Sequence, residues 1–296
     1  MSDDTSMSRR TALKTGGAGA AMLGILGYGA GGVAAADAES GADEGREDSE
    51  SKPEAEAESA GDEFAFGGDL PGLLERNGLW SGALPEGYFE GVRTSQSPAV
   101  VSVCCSDSRV SQEGMFAAPL DAGFLFKPSN IGNKVTTRVD GERAVDGSFL
   151  YGLEVSGASS GVVVGHTGCG AVTAAYESVV GEAGEQPPGI EEEVAPIVDV
   201  VEEALDGGAV ETDAEKRAVV NQLVEYNVHA QVEYLRESDE VSEGKDLYGF
   251  VYDFQNAYGD VDGRTVLVNV DGETDTDALR EAVPDGYEEF VGSLLH

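Results

Sequence analysis

The chain has 296 residues, with 56 acidic against 18 basic side chains and a formal net charge of -38. A surface this negative repels nucleic acid and acidic membranes, which excludes a nucleic-acid-binding role. The acid is spread along the chain rather than gathered in a tail, as suits a halophilic protein kept soluble where salt screens charge strongly. Its three cysteines, Cys104, Cys105 and Cys169, are too few and too unevenly placed for a disulfide framework.

In chain order, Ser8-Arg9-Arg10-Thr11-Ala12-Leu13-Lys14 precedes an uncharged run over residues 15–36, rich in glycine and alanine and ending in Ala34-Ala35-Ala36. Positive start, weakly apolar middle and small-residue end predict a signal segment over residues 1–36. Its arginine pair resembles a twin-arginine export signal, with Ala12 where a phenylalanine is usual. The expected location is outside the cell or at its surface, tethered to the membrane if the segment is not cleaved. The twin-arginine translocation machinery, which passes folded proteins, would be a partner during export. Residues 37–63 read as an acidic, disordered linker. Residues 64–296 suit one domain with a large core.

Within that domain, residues 70–89 read as a partly helical arm anchored by Leu73, Leu74, Leu79 and Trp80. Residues 99–104 (AVVSVC) form a buried strand by their continuous apolar character, and the CSDSR segment begins where it ends. A short strand over 123–127 leads into Ser129-Asn130-Ile131-Gly132-Asn133. Residues 145–156 predict a helix with Phe149, Leu150 and Leu153 on one face. Residues 160–165 (SGVVVG) are a third strand, 166–170 its exit loop and 171–180 a helix. Further helices are expected over 190–205, 213–236 and 274–283, and late strands over 248–254 and 265–270. The fold class is α/β, with both candidate site segments at the C-terminal ends of buried strands, the edge of a parallel sheet where ligands bind.

Two thiolates and one imidazole, from Cys105, His166 and Cys169, are the ligand set of a zinc site with an open fourth position. Adjacent Cys104 and Cys105 point to opposite faces of a strand, so Cys105 is assigned to the site and Cys104 to packing. Asp107 has two readings. It could close the site as a fourth ligand, or pair with Arg109 and accept a hydrogen bond from the attacking oxygen. A switch between the two is the favoured reading, with Arg109 drawing Asp107 away from the metal in the active state.

CSDSRV, GHTGCGAV and SNIGN, in that order, resemble the signatures of the β-class carbonic anhydrases, as do SFLYGLEVSGASSGVVV, EYNVHAQVEYLRES and LYGFVYDF. The resemblance covers residues 70–271. It implies a mostly parallel β-sheet with flanking helices and an antiparallel extension. It implies one Zn2+ per subunit on Cys105, His166 and Cys169, with Asp107 and Arg109 as the catalytic dyad. The implied reaction is the reversible hydration of carbon dioxide to bicarbonate and a proton, in a homodimer or larger homo-oligomer. Two departures stand out. Ser129 occupies the place of the family's arginine before the Asn-x-Gly-Asn segment, and no glutamine matches the family's near residues 121–123. Alternatives on the same residues are hydrolysis of carbon disulfide or carbonyl sulfide, favoured by a narrow, wholly apolar entrance, and a non-catalytic zinc protein that responds to bicarbonate. His229, on a predicted helix, reads as a satisfied histidine, the alternative being a proton shuttle. His296, the last residue, reads as frayed.

Overall fold

The computed structural model describes residues 68–295. The expected signal segment over residues 1–36 and the expected linker over 37–63 lie outside the described residues, as do residues 64–67 and His296. Residues 68–86 and residues 87–295 belong to two separate compact units. In the first, helix α1 (Leu70–Ala83) begins at Asp69, whose carboxylate accepts the Gly72 N–H at 3.0 Å. No helix among the described residues is long and apolar enough to cross a membrane.

The second unit is built on a sheet. Strand β1 (Val100–Cys105) lies beside β6 (Ser160–His166), and β6 beside β7 (Asp246–Asp253), all parallel. Strand β8 (Arg264–Val270) closes one side antiparallel to β7, which is the expected antiparallel extension. The short β2 (Leu125–Phe126) and β3 (Ser129–Asn130) run parallel along the other side of β1. The central strands are valine-rich because both faces are covered, so the alternation of a half-buried strand is absent.

One face is covered by α4 (Gly170–Val179), α5 (Pro188–Asp206) and α6 (Lys216–Glu237), with Ile197, Val201, Leu223 and Val228 in the core. The opposite face carries Cys104, Val162 and Val164 against Phe116, Tyr248 and Phe250, with Phe116 directly following the short α2 (Gln112–Met115). Cys104 and Cys105 therefore do face opposite ways. The last helix, α7 (Thr276–Ala282), starts where Asp275 accepts the Ala278 N–H.

Between β3 and β6 the structure departs from the sequence reading. Residues 145–156 are not one helix. A polar hairpin, β4 (Thr136–Val139) and β5 (Glu142–Val145), takes the first residue. A short α3 (Gly147–Leu150) then passes into a π-helical turn, Tyr151–Val155. Asp146 begins α3 by accepting the Ser148 and Phe149 N–H groups, while Phe149 and Leu153 are fully buried as expected. The hairpin turn is Asp140-Gly141, both at positive φ (53° and 86°). Asp-Gly is a strong hairpin signal, but the strands beside it are polar and lack the apolar run a buried strand would show.

Two glycines let α6 approach the sheet. A Cβ on Gly165 would lie 2.7 Å from Val228 Cγ2 and 2.9 Å from Val224 Cγ1, and one on Gly249 would lie 2.7 Å from Val228 Cγ1. Gly165→Val is accordingly expected to destabilise the folded protein by about 1–3 kcal/mol through overpacking. Gly189→Ala, where a Cβ meets nothing within 4 Å, should be neutral or slightly stabilising; urea denaturation of the two variants in one buffer checks the contrast.

Candidate metal centre

The site assembles where β1 and β6 end. Cys105 is the last residue of β1 and His166 the last of β6, so each strand runs one residue further than expected and takes in the first residue of its exit loop. Cys169 is the residue from which α4 springs. One donor atom from each of the three lies within 4.8 Å of the others, and all three residues are buried. The two sulfurs are 3.9 Å apart.

Protonation favours a cation. The Cys169 thiol donates to the Cys105 sulfur, and this bond above all draws the Cys105 thiol down to about 4. The Gly132 N–H also points to Cys105. Cys169 is held well above its ordinary value, first because it is the donor in that bond and then by burial. The pair thus sheds its first proton readily and keeps the second until positive charge arrives. The N–H groups of Ala171 and Val172 at the start of α4 await the second thiolate. Cys104, on the other face, is pushed up to about 12 by burial and stays a neutral thiol.

His166 supplies the third donor. Its Nδ1 lies 3.1 Å from the Thr167 carbonyl, which can only accept, so Nδ1 carries the proton. Its Nε2 is buried without a hydrogen-bond partner. An orphaned imidazole lone pair beside two thiols is the donor set that suits a borderline-soft divalent ion such as zinc.

Asp107 and Arg109 stand above this cluster as a pair. Arg109 Nε donates to Asp107 Oδ1 at 2.9 Å and Nη2 to Oδ2 at 2.7 Å, the two-pronged contact expected from their spacing. Nη2 also reaches the Gly168 carbonyl at 3.2 Å. Paired with Arg109, Asp107 stays ionised far below the usual carboxylate range. Its Oδ2 is 3.8 Å from His166 Nε2, beyond hydrogen-bond distance.

Helix α6 holds the loops through polar groups that the sequence reading left aside. Asn221 Oδ1 accepts the Gly168 N–H at 2.8 Å, and Asn227 Nδ2 donates to the Gly132 carbonyl at 3.1 Å. Gln231 accepts the Val135 N–H and donates to Asn227. These residues lie among the valines and leucines used to predict the helix, and only their burial marks them out. Phe254 is a further residue of the site. Its ring stacks on His166 at 5.7 Å and carries the Arg109 guanidinium 4.6 Å from its centre. An aromatic at a strand end reads as ordinary core in sequence.

The SNIGN loop is pinned as its composition suggests. Asn130 bonds both the N–H and the carbonyl of Lys134, a capping role. Gly132 adopts φ 81°, and a Cβ there would lie 2.1 Å from Ile197 Cδ1. Ser129 accepts a hydrogen bond from the buried Gln112. His229 is remote from this cluster in its contacts: Nδ1 meets Asn269 and Nε2 lies 3.5 Å from the buried Glu225. That agrees with a satisfied histidine.

Known proteins are similar to this chain in sequence and fold. The family profile described as carbonic anhydrase matches residues 100–259. A carbonic anhydrase of Pseudomonas aeruginosa is 31% identical over 173 residues, covering 57% of this chain and 74% of that protein. One of Emericella nidulans is 34% identical over 160 residues, covering 53% of this chain and 64% of that protein. The solved structure of a Coccomyxa beta-carbonic anhydrase in complex with acetazolamide is similar with a TM-score of 0.52 at 25% identity, covering 63% of this chain and 83% of that one. A β-carbonic anhydrase of Aspergillus fumigatus shares the fold with a TM-score of 0.53 at 20% identity, covering 75% and 99%. With its sheet, its Cys-His-Cys cluster and more than half its length matched, the chain belongs to the carbonic anhydrase family, and its fold is that of the β class.

Proposed function

We infer that the chain hydrates carbon dioxide reversibly to bicarbonate and a proton, with Cys105, His166 and Cys169 holding Zn2+ and with Asp107 and Arg109 as the catalytic pair. The observation that carries this reading is the buried, partnerless His166 Nε2 beside two thiols 3.9 Å apart. When bound, zinc supplies the Lewis acidity that makes water a nucleophile near neutral pH.

The residues around it do the rest. The Thr167 carbonyl fixes the tautomer of His166 and aims its lone pair at the ion. Asp107, ionised across the working range because Arg109 faces it, offers Oδ2 as an acceptor for the hydrogen of the attacking oxygen and so orients its lone pair toward carbon. The two-pronged Arg109 contact to Asp107 supports the active arm of the expected switch, in which the guanidinium draws that carboxylate away from the metal. The half-exposed, charged Arg109 beside the cluster argues against the wholly apolar surroundings that the sulfur analogues would favour.

Three wider readings belong to the same proposal. The acidic surface suits a halophilic protein. The Arg9-Arg10 pair and the uncharged run after it support export by the twin-arginine route, which would load zinc before the thiols meet an oxidising exterior. A homodimer or larger assembly is supported by likeness to solved relatives, one of them described as tetrameric in Sordaria macrospora.

Cys105→Ser, His166→Ala and Cys169→Ser should each lose both bound zinc, measured by atomic emission, and hydration activity. Arg109→Ala should keep most of the zinc yet lose rate by roughly 10²-fold, the scale of one positioned acid–base group; full rate in that variant would rule out the switch. In a host with twin-arginine export, Arg9→Lys with Arg10→Lys should leave the enzyme in the cytoplasm, read by fractionation and blotting, whereas unchanged export would exclude that route.

A further inference from the structure

The Asp107–Arg109 pair is poorly protected. The Arg109 side chain is 51% exposed against 16% for Asp107. An ion pair open to water on one side contributes little by itself, because water competes for both partners. Yet in the reading above this pair decides whether the metal position is open, and one oxygen of Asp107 already lies 3.8 Å from His166 Nε2.

Besides Asp107, two groups hold the guanidinium. The Gly168 carbonyl accepts from Nη2 at 3.2 Å. The Phe254 ring lies under Cζ at 4.6 Å, within the range of a cation–π contact. The same ring is stacked on the His166 imidazole, with 25° between the planes. It is steadied by the edge of Tyr252 at 5.8 Å. Its backbone is fixed as well. The Phe254 N–H donates to Thr167 Oγ1, and that hydroxyl donates to Asp253 Oδ1, each at 3.2 Å. One aromatic ring is therefore registered to the imidazole by the residue that follows His166 in the chain, and it presents a platform to the arginine at that register.

We propose that Phe254 is a positioning residue which clamps Arg109 over its ring and, through Arg109, keeps Asp107 away from the metal position. Without the ring, the guanidinium is free to turn into solvent, and the Asp107 carboxylate competes for the open position as a fourth ligand. The proposal rests on the metal-site reading above and adds the group that sets the balance of the switch.

The test compares Phe254→Leu, which keeps apolar bulk, with Phe254→Tyr, which keeps the ring, in full-length protein loaded with cobalt. The visible cobalt spectrum is titrated with thiocyanate, which reports access to the open position independently of turnover. Carbon dioxide hydration by the zinc-loaded proteins is measured in parallel. Phe254→Leu should bind cobalt stoichiometrically but take thiocyanate about tenfold more weakly, with kcat reduced more than KM, and Phe254→Tyr should restore most of both. A Phe254→Leu protein with the wild-type thiocyanate response and rate overturns the proposal. So does loss of cobalt from both variants alike, which would make the ring a packing element only. If the wild-type takes cobalt and thiocyanate but hydrates no carbon dioxide, the functional reading fails, and the cobalt titrations alone then decide the role of Phe254.

Discussion

Two buried thiols 3.9 Å apart, with an orphaned imidazole nitrogen beside them, are a constraint that this protein cannot satisfy alone. Only one of the sulfurs can ionise without a cation, because a second negative charge at that distance in a dry pocket is strongly disfavoured. Everything nearby prepares for the cation. The Gly132 N–H faces one sulfur, the first amides of α4 face the other, and the Thr167 carbonyl fixes the imidazole tautomer. Metal affinity in such a site is coupled to proton release, so the ion stabilises the arrangement that binds it.

The sheet makes this cluster possible at low cost to the core. Parallel β1 and β6 bring their C-terminal ends side by side, so ligands distant in sequence meet without strain in either strand. Strand β3 pairs with Cys104 and Cys105 and sets the SNIGN loop beside the first ligand. Helix α6 then locks the loops from behind, with Asn221 on the Gly168 peptide and Asn227 on the Gly132 peptide. Since Arg109 also bonds the Gly168 carbonyl, one peptide links the buried helix to the surface pair.

Much of this was legible in the residues. The valine runs of β1 and β6 are long enough to read as buried strands, and the ligand types and the i, i+2 spacing of Asp107 and Arg109 carry chemistry on their face. What was hidden depends on partners far away in the chain. The amides of α6 look like ordinary polar residues of a helix until their burial is known. Phe254 looks like a core aromatic until the loop after β1 brings Arg109 across its ring. The β4–β5 hairpin escaped because its polar strands lack hydrophobic patterning, although its Asp140-Gly141 turn was in plain view.

Because Arg109 holds Asp107 ionised far below the working range, the pH dependence of hydration falls to the Cys-His-Cys cluster and the ion it would hold. The direct measurement is carbon dioxide hydration by purified, zinc-loaded protein in molar salt from pH 6 to 9, before and after zinc removal. Two thiolates would donate more charge to a bound ion than imidazoles, which would weaken its activation of water and favour hydration at higher pH. The expected rate climbs with pH across that range and disappears with the zinc. No rate from fully loaded, folded protein, or a rate flat down to pH 6, would contradict that expectation.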